Sequence, residues 1–248
     1  MHIVKNSIIR GIAAIGLLAC SQLGFAQALP DYVQAAVASS ERTEEMTVRD
    51  ANRKPGELLA LSGIKPGDTV VEFAGFGQYF TTMLSSIVGD AGKVLVYDLP
   101  YMEAPTGEAS RAFAAAHPNT TYTVVDYNDM ELPAGVDQVH NVLYYHDLSL
   151  NDIDTAVLNK KIFDALKPGG VYLIVDHNAE AGSGTRDTET LHRIDPVVIK
   201  QEILAAGFTL AEESSLLAHP ADDHTKMVFS PGTRGTTDQS VLKFVKPE

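Results

Sequence analysis

The sequence predicts a doubly wound α/β fold, with a mostly parallel sheet and an antiparallel edge formed by the C-terminal strands. Short apolar runs typical of buried strands alternate with helical stretches through the middle of the chain, and this order implies parallel crossover units. The C-terminal part is rich in strand-like segments, which favours antiparallel pairing there. Strands are predicted at residues 69–73, 93–98, 121–125, 137–145, 171–176, 209–217 and 241–245.

The segments between the predicted strands have helical patterns. Residues 31–62 are predicted to be helical, and the polar run 42–54 inside them is either a solvated face or a lid over a ligand cleft. A Lys-Pro-Gly-Asp turn then leads into the first strand. The tripeptide 227–229 could pair beside the last strands. The remaining helices are predicted at 79–88, 107–117, 151–166 and 195–206.

The first 28 residues have the pattern of an export signal. Lys5 and Arg10 precede an apolar core at 11–20 that is too short to span a bilayer, and residues 26–28 read A-Q-A, a cleavage site. A bacterial lipobox ending at Cys20 is the alternative, and it would attach lipid to that residue. Both interpretations predict export, to the periplasm after cleavage or to a lipid-anchored form.

The remaining residues, 29–248, are predicted to form a single domain, since no repeat or linker divides them. Cys20 is the only cysteine, so an internal disulfide, a cysteine nucleophile and a thiolate metal site are excluded. The formal net charge of −13 disfavours nucleic acid as a partner. No later apolar run is long enough for a transmembrane helix.

The segment from 70 to 98 has the strand–turn–helix–strand order that holds a nucleoside in βαβ units. Gly75 and Gly77 let the turn approach a ligand, and Asp98 ends the second strand, where it would accept hydrogen bonds from ribose hydroxyls. Phe76 and Gln78 add bulk to the same turn, and a Cβ at a position that needs positive φ costs about 1 kcal/mol or more. The Phe76 ring could fill ligand space, point into the sheet or stack on adenine.

Two further motifs complete a family resemblance. A strand runs into Tyr145-His146-Asp147, and a Leu-Lys-Pro-Gly-Gly turn at 166–170 precedes the next strand. With these motifs the chain resembles the class I S-adenosylmethionine-dependent methyltransferases. From about Arg49 to Pro247 it is also similar to an exported bacterial group described as predicted methyltransferases. The segments that carry this closer similarity are 175–177, 182–184, 191–195, 221–223 and 234–238.

The resemblance implies S-adenosylmethionine as the cofactor, together with five residues that would bind it. Glu72 would orient the turn and the methionine amino group, and Gly75 and Gly77 would keep the turn small. Asp98 would hold the ribose, and Asp126 would read the adenine amino group. Members of the group carry a proline and consecutive glycines where this chain has residues 75–78.

Polar side chains follow two predicted strands at the sheet edge where open α/β folds bind ligands. His146 and Asp147 follow one strand, and His177 follows the other. The two histidines are candidate bases because an imidazole pKa near 6.5 suits proton transfer at neutral pH. Each histidine could equally cap a loop. The predicted catalytic residues are therefore His146, Asp147 and His177.

No metal is expected in the leading interpretation, but the same strand ends offer an alternative. Asp147, Asp176 and Asn178 have the oxygen ligands that magnesium or calcium prefers. His146, His177 and His192 would suit zinc better. The spacing matches no strong local metal signature.

The predicted function is that of an exported S-adenosylmethionine-dependent methyltransferase, a one-carbon group transferase, acting on an unidentified small molecule. One alternative is a non-catalytic protein that binds a small ligand on the same fold. Another is a metal-dependent enzyme that uses His146, Asp147, Asp176 and His177. Two cations, Arg186 and Arg193, could clamp an anionic substrate or pair with nearby acids. The sequence predicts neither the substrate nor the oligomeric state.

Overall fold

The computed structural model describes residues 28–248 and contains a seven-stranded sheet with the order β3-β2-β1-β4-β5-β7-β6. The strands are β1 (Thr69–Phe73), β2 (Lys93–Asp98), β3 (Thr120–Val124), β4 (Val136–Val142), β5 (Leu166–His177), β6 (Thr209–Ser214) and β7 (Gln239–Val245). The helices are α1 (Asp31–Val37), α2 (Glu44–Thr47), α3 (Asp50–Arg53), α4 (Pro55–Ser62), α5 (Tyr79–Val88), α6 (Glu108–Ala116), α7 (Thr155–Ala165), α8 (Thr188–Leu191) and α9 (Pro196–Ala205).

The pairing confirms the predicted fold class. Strands β1 to β5 pair in parallel, and β7 is antiparallel to both of its neighbours, β5 and β6. The chain order runs outward from β1 in one direction and from β4 in the other, so the topological switch point lies between these two strands. Ligands of open α/β sheets bind at this point, beyond the carboxyl ends of the strands.

The two faces of the sheet are buried by different helices, and this sets which side chains reach the switch point. Successive residues of a strand point to opposite faces. In β1, Val71 and Phe73 join one apolar core, whereas Val70 joins the second core together with residues of α1, α4 and α5. Glu72 therefore shares the α5 side of the sheet with Val70.

Several predicted bounds differ from the structure: the helical stretch 31–62 is divided into α1 to α4, β5 begins five residues earlier than predicted, and β6 ends three residues earlier. Two further boundaries and one predicted pairing bear on the loops around the site. The strand predicted at 137–145 ends at Val142, because Leu143 takes a left-handed conformation with φ 60° and a helical turn follows at Tyr145–Asp147. The helix predicted from 151 begins at Thr155, where the Asp154 side chain caps the first turn. The predicted pairing of 227–229 is wrong, since the Met227 carbonyl accepts a hydrogen bond from Ser230 in a turn.

Among residues 28–248, no helix has both the length and the apolar character needed to cross a membrane. The predicted signal segment and the lipobox Cys20 lie outside the described residues.

Candidate functional site

A cavity of about 420 Å³ opens at the switch point, and a smaller one of about 230 Å³ adjoins it. The end of β1 and the turn that follows it form one wall of the larger cavity, and the loops after β4 and β5 form another. Its volume lies in the range of small-molecule sites. The predicted catalytic residues His146, Asp147 and His177 all line this cavity.

The turn after β1 has an unusual backbone. Ala74, Gly77 and Gln78 are left-handed, with φ of 55°, 64° and 53°. Gly75 has an ordinary φ of −69°, but a Cβ there would lie 2.8 Å from Val96 Cγ1. Glycine is therefore required at residue 75 because the turn passes close to β2. Left-handed alanine and glutamine are costly, and such strain is concentrated at functional sites.

The two bulky residues of the turn leave the cavity open. The Gln78 side chain points to α6, where Nε2 donates a hydrogen bond of 2.9 Å to Ser110 Oγ. Phe76 lies on the cavity wall with 42% of its surface exposed, and its ring is edge-on to Tyr144 at a centroid distance of 6.2 Å. Of the orientations left open by the sequence, the ring thus does not point into the sheet, and it lines the cavity.

Glu72 is a buried carboxyl group on the cavity wall. Its Oε2 atom accepts a hydrogen bond of 2.6 Å from Thr81 Oγ1. Burial raises the pKa of Glu72 to about 8, so the group is mostly neutral at pH 7. A cationic ligand group beside it would favour the ionised form.

The other predicted cofactor residues have different positions. Asp98 is fully buried behind the turn, where Oδ1 accepts a hydrogen bond of 3.0 Å from the Gly75 amide. Its Oδ2 atom is buried, and the Tyr122 hydroxyl lies against the carboxylate and favours its ionised form, although burial raises the pKa of Asp98 overall. Gly77 belongs to the turn without lining the cavity, and Asp126 is exposed and accepts a hydrogen bond from the Asn128 amide. The structure therefore brings Glu72 and Gly75 to the cavity, with Asp98 one layer behind them.

His146 and Asp176 form a buried pair across the ends of β4 and β5. Asp176 Oδ1 lies 2.6 Å from His146 Nδ1, and Oδ2 accepts a hydrogen bond of 2.8 Å from the His146 amide. Burial opposes a charged imidazole, but the Asp176 carboxylate outweighs it and holds the pKa of His146 above its ordinary value. The pair leaves His146 Nε2 buried, without a hydrogen bond among residues 28–248.

His177 differs from His146 in the direction of its pKa shift. Burial lowers its pKa to about 3, so the ring is neutral at physiological pH. Its Nδ1 atom lies 2.8 Å from Thr237 Oγ1. A neutral, fixed imidazole of this kind orients a ligand by hydrogen bonding and is a weak base.

One group of three residues has metal-ligand spacing. Ligand atoms of His146, Asp147 and His192 lie within 4.8 Å of one another. Asp147 Oδ1 is 3.3 Å from His146 Nε2 and 3.1 Å from His192 Nδ1. This set differs from the oxygen set considered from the sequence, since Asn178 is bound to Asp238 and Ser240.

Three arginines also line the site, and sequence reasoning missed them. Arg49 and Arg53 come from the 42–54 run, and Arg234 comes from the loop before β7; all three border both cavities. Arg49 and Arg53 are four residues apart, which places them on one helical face. This spacing is the sequence feature from which the two arginines could have been found. Arg234 belongs to a motif for which the sequence suggested no chemistry.

The two arginines singled out from the sequence are structural. Arg186 pairs with Asp187 at 2.7 Å and with Glu180 at 3.0 Å. Arg193 is fully buried and pairs with Asp222 at 2.8 Å. Neither side chain lines the cavities.

Comparisons with known proteins show the fold. No family model matches the chain. It is 25% identical over 126 residues to the ubiquinone/menaquinone biosynthesis C-methyltransferase UbiE of Teredinibacter turnerae, which covers 50% of this chain and 49% of that protein. The chain thus matches this curated relative over about half of the relative's length.

Solved structures match over more of the chain. A SAM-dependent methyltransferase from Aquifex aeolicus superposes with a TM-score of 0.57 and 16% identity, over 80% of this chain and 98% of that one. The [4+2]-cyclase SpnF superposes equally well, with a TM-score of 0.57 and 14% identity, over 79% and 81%. The chain therefore has the fold of the class I methyltransferases, and this fold hosts more than one reaction.

Proposed function

We propose that this chain is an exported methyltransferase that uses S-adenosylmethionine to methylate a small molecule. The observation that carries the proposal is the cavity at the switch point, which has a buried acid and a glycine turn on one wall and a carboxylate–histidine pair on another. The similarity to methyltransferases in sequence and structure supports the same activity. The predicted export signal supports a location outside the cytoplasm.

The residues of this chain fit the cofactor. Glu72 lines the cavity, where it would meet the cationic end of the ligand. The Asp98 carboxylate is buried against the Tyr122 hydroxyl, and a group that already lies against one hydroxyl suits the hydroxyls of a ribose. Because Asp98 lies behind Gly75, it reaches a ribose only when the turn at 74–76 shifts. When bound, S-adenosylmethionine supplies a methyl group on a sulfonium, activated for transfer to a nucleophile.

His146 is the residue best placed to accept a proton from the nucleophile. Asp176 fixes the Nδ1–H tautomer, and this leaves Nε2 with its lone pair toward the cavity wall. A carboxylate behind an imidazole also stabilises the charge that forms on proton transfer. Asp147, 3.3 Å from Nε2, adds to this stabilisation. His177 remains neutral and orients the acceptor.

Equilibrium dialysis with radiolabelled S-adenosylmethionine tests the cofactor assignment. We expect saturable binding that Asp98→Ala abolishes, because the ribose loses its acceptor. The exposed Asp90→Ala serves as a control and should bind like the unmodified protein. If Asp98→Ala binds as well as the control, the nucleoside does not occupy the proposed position.

A metal-dependent enzyme is a second candidate, favoured by the His146, Asp147 and His192 group. Asp176 behind His146 completes the carboxylate–histidine–metal arrangement found at many zinc sites. Cobalt substitution followed by visible absorption tests this candidate. Tetrahedral Co²⁺ bands that disappear in His192→Ala would support it, and their absence from the unmodified protein would exclude it.

Export is proposed with two alternative mature forms. Cleavage after residue 28 gives a protein that begins at Leu29, whereas lipidation gives one that begins at acylated Cys20. Mass spectrometry of the protein recovered from its native host distinguishes the two. An unprocessed chain beginning at Met1 would contradict both.

A further inference from the structure

Arg49, Arg53 and Arg234 place three guanidinium groups around the two cavities, in a chain whose formal net charge is −13. Within residues 28–248, none of the three forms a salt bridge or a side-chain hydrogen bond. Arg49 Nε is buried without a partner. Arg49 and Arg53 are partly buried, whereas Arg234 is exposed at the mouth of the cavities. Cations are normally paired when they leave bulk water, so two partly buried arginines without a salt bridge in this part of the chain, beside a third cation, favour an anionic ligand.

Together, Arg49, Arg53 and Arg234 form an arginine cluster. The acids around this cluster either contact other residues or are neutral. Asp50 receives two hydrogen bonds from Arg42, of 2.8 and 2.5 Å, and one of 2.6 Å from the Tyr79 hydroxyl. Glu72 is mostly neutral at pH 7 because burial raises its pKa to about 8. Asp147 is on the opposite wall, in contact with His146 and His192.

The Tyr79 ring holds two of the three cations in place. The guanidinium carbons of Arg49 and Arg53 lie 4.6 and 4.7 Å from the ring centroid. Cation–π contacts of this kind stabilise an arginine without neutralising it. Burial, reinforced by repulsion from Arg49, lowers the pKa of Arg53 to about 10 and outweighs the attraction of Asp50.

A buried hydrogen-bond network positions the loop that carries the third cation, Arg234. Asp222 accepts hydrogen bonds from Arg193 and from the Asp238 amide, and it thereby fixes the end of the loop that carries Arg234. At Gly235, a Cβ would lie 2.9 Å from Asn52 Nδ2, so glycine lets the loop pack against α3. The C-terminal motifs around residues 222 and 234–238 therefore act together to position one arginine.

We propose that the arginine cluster binds the anionic group of the acceptor substrate, so that the substrate is a small organic acid or phosphate ester. Guanidinium groups bind carboxylate and phosphate in bidentate geometry. The smaller cavity also presents Val48, Val228 and Phe229, which suit an apolar part of the same molecule. That this anion is the methyl acceptor rests on the proposed methyltransferase function.

The position of the cluster favours the substrate over the carboxylate of the cofactor. All three arginines line both cavities, and in the smaller one they have a face that is bordered by neither Glu72 nor the turn at 74–76. His177 lines both cavities, so a ligand held by the arginines would lie beside the proposed reaction face.

Thermal unfolding with inorganic phosphate tests the anion site, with sodium chloride at matched ionic strength as the reference. We expect phosphate to raise the Tm of the unmodified protein in a saturable manner, and benzoate to do so more strongly than its neutral analogue benzamide. Arg53→Gln and Arg234→Gln should weaken the phosphate response roughly tenfold or more, since each removes a charged donor. Arg111→Gln, at an exposed pair with Glu103, should keep the full response.

Binding of S-adenosylhomocysteine separates this proposal from the proposed function. Arg234→Gln that loses the phosphate response but keeps its affinity for S-adenosylhomocysteine supports a substrate site. An equal loss of both would assign the cluster to the cofactor carboxylate and overturn the substrate assignment. No phosphate response in the unmodified protein would overturn the anion site itself. A phosphate response without any S-adenosylhomocysteine binding would leave the anion site standing and reject the methyltransferase function.

Discussion

Asp176 is the residue whose replacement most directly tests the proposed proton acceptor. Asp176→Asn keeps the size of the side chain but removes the negative charge beside His146 Nδ1. We expect a loss in kcat of about 10²–10⁴-fold with a smaller change in KM. The rate limb that reports His146 should also move to lower pH, because the carboxylate holds the pKa of this imidazole up.

The comparison for this variant is Asp164→Asn, an exposed acid paired with Lys160. Circular dichroism of both variants reports folding. An Asp176→Asn protein that is folded and retains its pH profile would show that the pair only stabilises the structure.

The raised pKa of Glu72 predicts that the stability of the protein depends on pH. The pKa of this side chain is about 8 when folded and near 4.5 in the unfolded chain, so the folded protein binds more protons between these values. The Glu72 contribution to the free energy of unfolding should therefore fall through this window by about 1.4 kcal/mol per pH unit, and the ligand-free protein should show the fall between pH 6.5 and 8, where the buried histidines no longer oppose it. Urea titrations at several pH values should show a shallower fall for Glu72→Gln. The exposed Glu57→Gln should retain the slope of the unmodified protein, and equal slopes in both variants would contradict the assignment.

The turn after β1 has a strained backbone and also lines the candidate site. Ala74 has φ 55°, which costs an L-residue about 1–2 kcal/mol, whereas glycine adopts it freely. Ala74→Gly should raise the free energy of unfolding by about 0.5–1 kcal/mol after the entropy gained by the unfolded chain is subtracted. Chemical denaturation measures this change.

Ala60→Gly, inside helix α4, is the matched control with the opposite sign. It should lower the free energy of unfolding by about 1 kcal/mol, because glycine is a poor helix former. If both substitutions destabilise the protein equally, the turn at Ala74 is not strained.

The elements differ in how far they could be predicted from sequence. The bounds of β1, β2 and α5 match the prediction, because strong apolar runs and glycine turns delimit them. The end of β4 was not predicted because Leu143 is an ordinary apolar residue, and no local sequence pattern indicates its left-handed conformation. The chemistry at Tyr145–Asp147 depends on that early end.

The candidate site was only partly predictable for a related reason. Glu72 and His177 lie at the carboxyl ends of β1 and β5, and His146 follows β4, so the sheet topology brings them together. Arg49, Arg53 and Arg234 come from segments far apart in the chain, and their proximity arises from loop packing that periodicity does not report. The burial of Asp98 behind Gly75 likewise follows from the path of the turn, not from its composition.

For the whole molecule, the buried groups together predict a stability maximum near neutral pH. Burial lowers the pKa of His140 to about 4 and that of His177 to about 3, from 6.5. These two histidines bind fewer protons in the folded protein than in the unfolded chain below pH 6.5, and because they are two groups they outweigh Glu72 there, so stability is lost as pH falls through this range. Above pH 6.5, Glu72 lowers stability instead.

Thermal scans of the ligand-free protein should accordingly show the highest Tm at about pH 6.5. His140→Gln should flatten the acid side of the profile, since it removes one buried group that must remain neutral. A Tm that rises steadily to pH 8 would contradict the prediction that Glu72 lowers stability above pH 6.5.

The central claim is that the cavity at the switch point binds S-adenosylmethionine beside a neutral Glu72. Calorimetric titration with S-adenosylhomocysteine at pH 7, in two buffers with different ionisation enthalpies, tests it most directly. We expect one binding site and the release of up to one proton, because the cationic amino group of the ligand ionises Glu72. The proton release should disappear in Glu72→Gln. No heat at millimolar ligand in either buffer would contradict the claim.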